Sequence, residues 1–297
     1  MVALWKLETD GGRRLARGPA EQGPQELLPR EITIDGLLCK GGDAFREGVF
    51  DSPGTLLPES DVRILPPIDT QEVWACGVTY QRSRDARMAE SDSPDHYDRV
   101  YEAERPELFF KSVGWRVRGP GEPVTIRPES SWDVPEPELA LIIDASGEIV
   151  AYSIANDMSS RSIEGENPLY LPQAKTYDGA CALGPCLVLP EEAPPAEDMV
   201  LNLRILRQGR ELVTEQVEVS GMRRTLAELV EWLFGSLTFP VGAVLLTGTA
   251  IVPEPEFTLR ADDEVVINVN GLGELRNPVK TLHLARAAVR PGRPAAP

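Results

Sequence analysis

The chain predicts a β-rich α+β fold, and three features of its sequence carry that prediction. Short apolar or alternating runs recur between Pro-, Gly- and Asp-rich turns, the pattern of many short strands. One stretch alone, TLAELVEWLFGSL (225–237), spaces Leu226, Leu229, Val230 and Leu233 as a clear amphipathic helix. The run LALII (139–143) is continuous and apolar, as a buried strand requires.

In chain order, VALWKLE (2–8) alternates as a strand, and EITIDGLL (31–38) is a second strand candidate. Residues 51–69 are rich in Pro, Gly and Asp and read as a connector, which divides the chain into a small N-terminal α/β domain (1–68) and a larger one (69–297). EVWACGVTY (72–80) predicts a strand, QRSRDARMAES (81–91) a helix, SDSPDHYDRVYEAERP (91–106) an exposed loop with a helical turn, and PELFFKSVGWRV (106–117) a strand. VPEPELALII (134–143) and EIVAYSIAND (148–157) are strands joined by a turn at Asp144–Gly147. CLVLPEE (186–192) is another strand, and 199–218 a hairpin turning at Gln208–Gly209. Thr225 stands as N-cap of the helix. GAVLLTGTA (242–250) is a buried strand ending in a Gly/Thr loop, 263–280 a second hairpin, and 285–297 a loose tail.

Composition narrows the function. A 297-residue chain with 42% hydrophobic residues can bury a core, but 6% aromatics supply no stacking platform for single-stranded nucleic acid. A net charge of −17 argues against nucleic acid or an anionic membrane as partner, and obliges any anionic substrate to find local positive charge. The four cysteines fit neither a disulfide framework nor a zinc site. With no signal-peptide pattern and no long apolar run, the expected location is cytoplasmic. Only five of the thirty basic residues are lysines, which draws attention to Lys111 and Lys175, since lysine, unlike arginine, can be tuned to exchange a proton.

The chemistry concentrates between Val134 and Pro185. In an extended Pro-Glu-Pro-Glu, Glu136 and Glu138 point to one face, and a hairpin at 144–147 returns Asp157 to their neighbourhood. Three carboxylates at one end of a sheet suit Mg²⁺, with Mn²⁺ or Ca²⁺ as alternatives. The same pentapeptide, VPEPE, recurs at 252–256 before a polar run that fits an exposed loop, so the motif gains meaning only from the buried-looking LALII that continues its first copy. A solvated acidic turn is the plain alternative.

In order, E-x-E-L at Glu136–Leu139, N-D-x-S-x-R at Asn156–Arg161, Ala174–Lys175, L-L-T-G-T at Leu245–Thr249 and G-x-G-x-L-R-N-P-V at Gly271–Val279 resemble the fumarylacetoacetate hydrolase family across roughly residues 70–282. The resemblance implies a mixed β-roll catalytic domain, Glu136, Glu138 and Asp157 as metal ligands, Lys175 beside the metal, and a homo-oligomer, dimer or tetramer. Hydrolytic and decarboxylating members carry G-x-N-Y-x-x-H-x-x-E after the first strand, where His and Glu activate water. Here Ser83 and Ala86 take those places, and neither can act as a base. GVTYxRSRDAR, PELFFK and IEGENPLYLPQAK look instead like the family's sugar-acid dehydratase branch. That implies metal-dependent removal of water from a 2-keto-3-deoxy-pentonate, such as 2-keto-3-deoxy-D-arabinonate, to give 2,5-dioxopentanoate.

In such a reaction the ion would grip the carboxylate and keto oxygens of the small 2-oxo sugar acid and acidify C3. Lys175 and Glu107 are the candidate acid and base, the nearby cation being expected to lower the lysine pKa. Either could play a blander part, Lys175 as a fixed positive charge and Glu107 as a loop carboxylate. Arg82 or Arg84 could clamp the substrate carboxylate, Ser83 a substrate hydroxyl, and Thr249 with the Gly248 backbone could add contacts. Glu166 and Asn167 are candidates for the pocket wall. A hydrolase or decarboxylase of an acylpyruvate or oxo acid, and a non-catalytic metal-binding scaffold, stand as alternatives.

Overall fold

In a computed structural model, described over residues 2–58, 62–90 and 94–283, the chain is organised by one large sheet and one smaller one. The first part forms β1 (Val2–Thr9), β2 (Gly12–Pro19), β3 (Glu26–Leu27), α1 (Ile34–Leu38), α2 (Gly42–Phe50), β4 (Thr55–Leu56) and β5 (Arg63–Leu65). The middle supplies β6 (Glu72–Gly77), α3 (Gln81–Glu90), α4 (Pro94–Glu102), β7 (Glu107–Val113), β8 (Val124–Ile126), β9 (Asp133–Val134), β10 (Pro137–Ile143), β11 (Ile149–Asp157) and β12 (Ser159–Ser160). Next come α5 (Arg161–Glu166), α6 (Leu171–Lys175), β13 (Cys181–Val188), β14 (Val200–Arg207), β15 (Arg210–Glu218), α7 (Leu226–Phe234), β16 (Ala243–Leu246), β17 (Asp263–Val269) and β18 (Gly273–Thr281).

The large sheet runs β4-β3-β2-β1-β13-β11-β10-β16-β6-β7, with β5 also paired to β1; the smaller runs β15-β14-β17-β18-β8. β10 lies in the middle, and both its faces are buried. Leu139, Leu141 and Ile143 pack with Leu203, Ile205 and Ile267 of the smaller sheet and Leu229 of α7. Ala140 and Ile142 face Leu38 of α1 and Phe45 and Val49 of α2. A strand covered on both faces reads as the unbroken LALII, not as an alternation.

Several expectations need correction. EITIDGLL is not a strand: Thr33 accepts a hydrogen bond from the Gly36 N–H at 3.0 Å and caps α1, and the buried Ile34, Leu37 and Leu38 fit helical spacing as well as they fit a strand. The stretch 91–106 holds a nine-residue helix, α4, starting at Pro94, a residue suited to a first helical turn. The strand expected from Cys186 begins at Cys181, and the connector 51–69 contributes β4 and β5. Residues on either side of position 68 share the large sheet, since β1 pairs β13. The hairpin turns stand as expected: Gln208 and Gly209 both have positive φ, as a type I′ turn requires. Thr225 caps α7, its hydroxyl oxygen accepting from the Glu228 N–H. The tail at 285–297 lies outside the described residues. Among the described residues no helix is long and apolar enough to cross a membrane.

Strand direction creates the site. β10 is antiparallel to β11 and β16, β16 is parallel to β6, β6 antiparallel to β7, and β11 antiparallel to β13. The start of β10, the end of β11, the ends of β16 and β6 and the starts of β7 and β13 therefore share one edge of the sheet.

Candidate metal centre

At that edge Glu136, Glu138 and Asp157 are all buried, and one carboxylate oxygen from each lies within 4.8 Å of the others. The hairpin register accounts for this: Pro137 stands opposite Asn156, and the Asp157 N–H donates to the Glu136 carbonyl at 2.8 Å. The second VPEPE is different, with Glu254 and Glu256 exposed.

Cations crowd round the triad. Glu136 Oε1 accepts from Arg87 Nη2 at 2.6 Å and pairs with Arg161 Nη2 at 2.8 Å, while Oε2 accepts from Lys175 Nζ at 2.7 Å. Lys175 Nζ also reaches Asp157 Oδ2 at 3.2 Å. Lys111 pairs with the other Asp157 oxygen, Oδ1, as an ion pair. Glu138 Oε2 accepts from the Gly248 N–H at 2.5 Å. Gly248 is needed there: its φ is +91°, and a Cβ would fall 2.1 Å from Thr79 Oγ1. Glu164, on α5, pairs with Arg87 and Arg161 and accepts from the Ser159 hydroxyl at 2.7 Å.

The electrostatics are those of a site short of positive charge. Burial, then Asp157 and Glu136, push the Glu138 carboxyl well above its ordinary range. Burial also raises Glu136, outweighing Lys175 and Arg87. Glu164 shows the opposite balance: burial would raise it, but Arg87 and Lys175 hold it low. A divalent ion among these oxygens answers the excess, and an all-oxygen donor set suits Mg²⁺, Mn²⁺ or Ca²⁺.

Beside the triad lies a cavity of about 20 Å³, lined by Ser83, Arg87, Tyr97, Glu107, Lys175 and Thr249 among others. That is room for a water or an ion. It adjoins a second hollow of about 130 Å³, with Tyr97, Glu107, Glu164 and Leu171 common to both. Glu107 starts β7 opposite Gly77 and lies close over it: a Cβ on Gly77 would fall 2.0 Å from Glu107 Oε2 and push that carboxyl aside. Burial, then Glu164, raise the Glu107 carboxyl to about 7. Burial lowers the Lys175 pKa, but Asp157, Glu136 and Glu164 outweigh it and leave it above the ordinary value, opposite to the sequence expectation. A divalent ion on the same carboxylates would act in the expected direction.

The structure thus gathers Glu136, Glu138, Asp157, Lys175, Glu107, Ser83 and Thr249. Gly248 is present too, though its N–H serves Glu138. Arg82, Arg84 and Glu166 are not brought to the cavity. Arg82 turns outward to Glu215 at 2.7 Å and the Val252 carbonyl. Arg84 pairs with Asp85 and stacks over Tyr101, tying α3 to α4. Glu166 is exposed at the end of α5, and Asn167 caps the next turn through the Leu169 N–H. The chain on either side of these two residues is helical, α5 ending at Glu166 and α6 following. Arg87, Arg161, Glu164 and Lys111 were not among the site residues expected. Arg87 had a signal: it is four residues from Ser83 in a predicted helix, hence on the same face.

Residues 72–280 match the family described as fumarylacetoacetate (FAA) hydrolase, C-terminal. The chain is 48% identical over 216 residues to a probable 2-keto-3-deoxyxylonate dehydratase of Haloferax volcanii, spanning 73% of this chain and 74% of the relative. It is 41% identical over 225 residues to the 2-dehydro-3-deoxy-D-arabinonate dehydratase of Saccharolobus solfataricus, spanning 74% and 76%. Its fold superposes on the structure of 2-keto-3-deoxy-D-arabinonate dehydratase complexed with magnesium and 2,5-dioxopentanoate, with a TM-score of 0.82 and 33% identity over 95% of this chain and all of that one. With the match running through 72–280, more than half of its length, the chain belongs to the fumarylacetoacetate hydrolase family.

Proposed function

We propose that this chain is a Mg²⁺-dependent hydro-lyase that dehydrates a 2-keto-3-deoxy-pentonate, such as 2-keto-3-deoxy-D-arabinonate, to 2,5-dioxopentanoate. The observation that carries this reading is the make-up of one cavity. A buried carboxylate triad adjoins a lysine and a glutamate whose pKa of about 7 suits proton transfer in both directions, while Ser83 occupies the place of a water-activating histidine. The names of the two relatives and of the similar structure support the same chemistry.

Glu136, Glu138 and Asp157 would hold the ion, and Mn²⁺ or Ca²⁺ would fit the same donors. An ion bound there would polarise the 2-oxo acid and make its C3 protons more acidic. Lys175 and Glu107 share the proton transfers: one proton leaves C3, and one goes to the C4 hydroxyl as it departs as water. Isomerisation of the resulting unsaturated acid to the C5 enol, then to the aldehyde, completes the change. Ser83 and Thr249 contact the substrate, and Arg87 takes the carboxylate-facing role that sequence assigned to its neighbours. The enzyme works in the cytoplasm as a homo-oligomer; β7 ends the large sheet with Trp115 exposed just beyond it, the kind of edge a second copy covers.

The test supplies 2-keto-3-deoxy-D-arabinonate with Mg²⁺ and measures the aldehyde formed. Substrate that binds without turning over would leave a metal-binding scaffold, and turnover of an acylpyruvate instead would make the protein a hydrolase.

A further inference from the structure

The geometry points to Lys111 as a positioning residue that sets which divalent ion the centre prefers, by withholding one oxygen of Asp157. The inference rests on Glu136, Glu138 and Asp157 being the metal ligands. β7 carries Glu107, Phe109 and Lys111, and at Lys111 its register against β6 shifts, because Phe110 pairs with Trp74 but Ser112 with Val73. Glu107 and Phe109 line the cavity, and the Phe109 ring lies 5.7 Å from Lys175 Nζ. Lys111 stands at this irregularity, with none of its side chain exposed. Its ammonium meets three oxygens: Asp157 Oδ1, the Met158 carbonyl at 3.0 Å and the Lys175 carbonyl at 2.5 Å. Two of its donors make hydrogen bonds, to the carbonyls, and Asp157 Oδ1 faces it as an ion pair, so the buried charge is compensated.

Asp157 is the member of the triad this constrains. Lys111 lies on Oδ1 and Lys175 on Oδ2, so Asp157 can turn only Oδ2 toward the cluster while Lys111 keeps its place. Mg²⁺ holds six ligands in a strict octahedron and takes carboxylates through single oxygens. Ca²⁺ accepts six to eight oxygens and readily takes a carboxylate through both. A carboxylate limited to one oxygen favours the smaller ion. Removing the ammonium frees Oδ1, which helps the larger ion and gives the smaller nothing.

Lys111→Met keeps the bulk of the stem and removes the charge; Lys111→Gln is its companion. Each is freed of metal, checked for native circular dichroism, and titrated with Mg²⁺ and with Ca²⁺ by calorimetry, beside the unmodified protein and Glu138→Gln. The preference for Mg²⁺ over Ca²⁺ should fall on the order of tenfold in both Lys111 variants, the range in which residues behind metal ligands act. Glu138→Gln should weaken both ions together. Folded Lys111 variants with an unchanged ratio overturn the proposal, whether both affinities hold or fall alike. Failure of both variants to fold also overturns it, because the lysine would then serve the fold. If Glu138→Gln binds both ions normally, the error lies earlier, in the assignment of the triad.

Discussion

Glu107→Gln tests the proposed chemistry most sharply. The carboxyl sits against Gly77, and burial and Glu164 raise it from 4.5 to about 7. With a pKa of 4.5, about 1 molecule in 300 would carry the proton at pH 7; with a pKa of 7 about half do, so the environment enriches the acid form about 150-fold. Activity that needs this acid falls on the alkaline side of pH 7, and activity that needs the conjugate base falls on the acid side, so kcat/KM should bend near pH 7. Removing the group should lower kcat by roughly 100- to 10,000-fold, the usual weight of a positioned acid or base, and abolish the bend. Mg²⁺ affinity should hold, because Glu107 is not one of the three clustered carboxylates. Glu164→Gln removes the second cause of the shift and should move the bend to lower pH. The assay is the pH profile of aldehyde formation from 2-keto-3-deoxy-D-arabinonate with Mg²⁺ saturating at each pH. If Glu107→Gln keeps the bend, or loses less than tenfold in kcat, the assignment is refuted.

The same geometry sets three further outcomes. Glu138→Gln removes a buried carboxyl whose raised pKa marks it as costly when charged, so the metal-free protein should melt no lower than the parent while Mg²⁺ binding and activity are lost; retention of both would dissociate the triad from the metal. Because Glu136 and Glu138 both bind protons more tightly than ordinary carboxylates, Mg²⁺ affinity should weaken as pH falls from neutrality, which calorimetry at a series of pH values measures. Gly77→Ala should displace Glu107 and depress kcat while leaving metal affinity intact, whereas Arg82→Ala, whose side chain lies outside the cavity, should change kcat/KM by less than about twofold.

What could be read in the sequence was whatever a period or a turn dictates. Two strands joined by a Ser-Gly turn can be laid antiparallel on paper, and that suffices to bring Asp157 to Glu136 and Glu138. The same arithmetic fails where two periods fit one segment. In EITIDGLL the isoleucines alternate as a strand would, yet Ile34, Leu37 and Leu38 also fit a helix, and the Thr33 cap decides between them. Helical phase explains the misplaced side chains. Ser83 and Arg87 lie one turn apart and share the inward face, while Arg82 and Arg84 are turned about 100° to either side of Ser83. Glu164 and Glu166 differ by about 200° on α5, and without that helix assigned from sequence nothing told the buried glutamate from the exposed one. Lys111 was visible only as one of five lysines. Its partners, Asp157 and two carbonyls, come from segments more than forty residues away, and no local pattern reports them.

The acidity of the chain sets a problem that the site resolves. At −17, the protein repels an anionic sugar acid at long range, though at physiological salt that repulsion fades beyond about 8 Å. What decides binding is the charge inside the cavity and against its walls. Five carboxylates stand there, Glu107, Glu136, Glu138, Asp157 and Glu164, with four cations, Arg87, Lys111, Arg161 and Lys175. The set is one negative charge in excess when all are ionised, and a monoanion entering it would double that excess in a medium that screens poorly. A divalent ion reverses the sign to one positive charge, and a single substrate carboxylate then brings the sum to zero. A dianionic ligand, such as a sugar acid phosphate, would restore the excess negative charge. The centre should therefore bind the ion first, then select monoanionic acids over dianionic ones of the same length, and shift that selection toward dianionic acids in Glu164→Gln, which leaves the ion-loaded set two positive charges in excess. Competition between the two classes of acid, measured with Mg²⁺ held saturating, reads the preference directly, and equal binding of both would show that charge balance is not what governs entry.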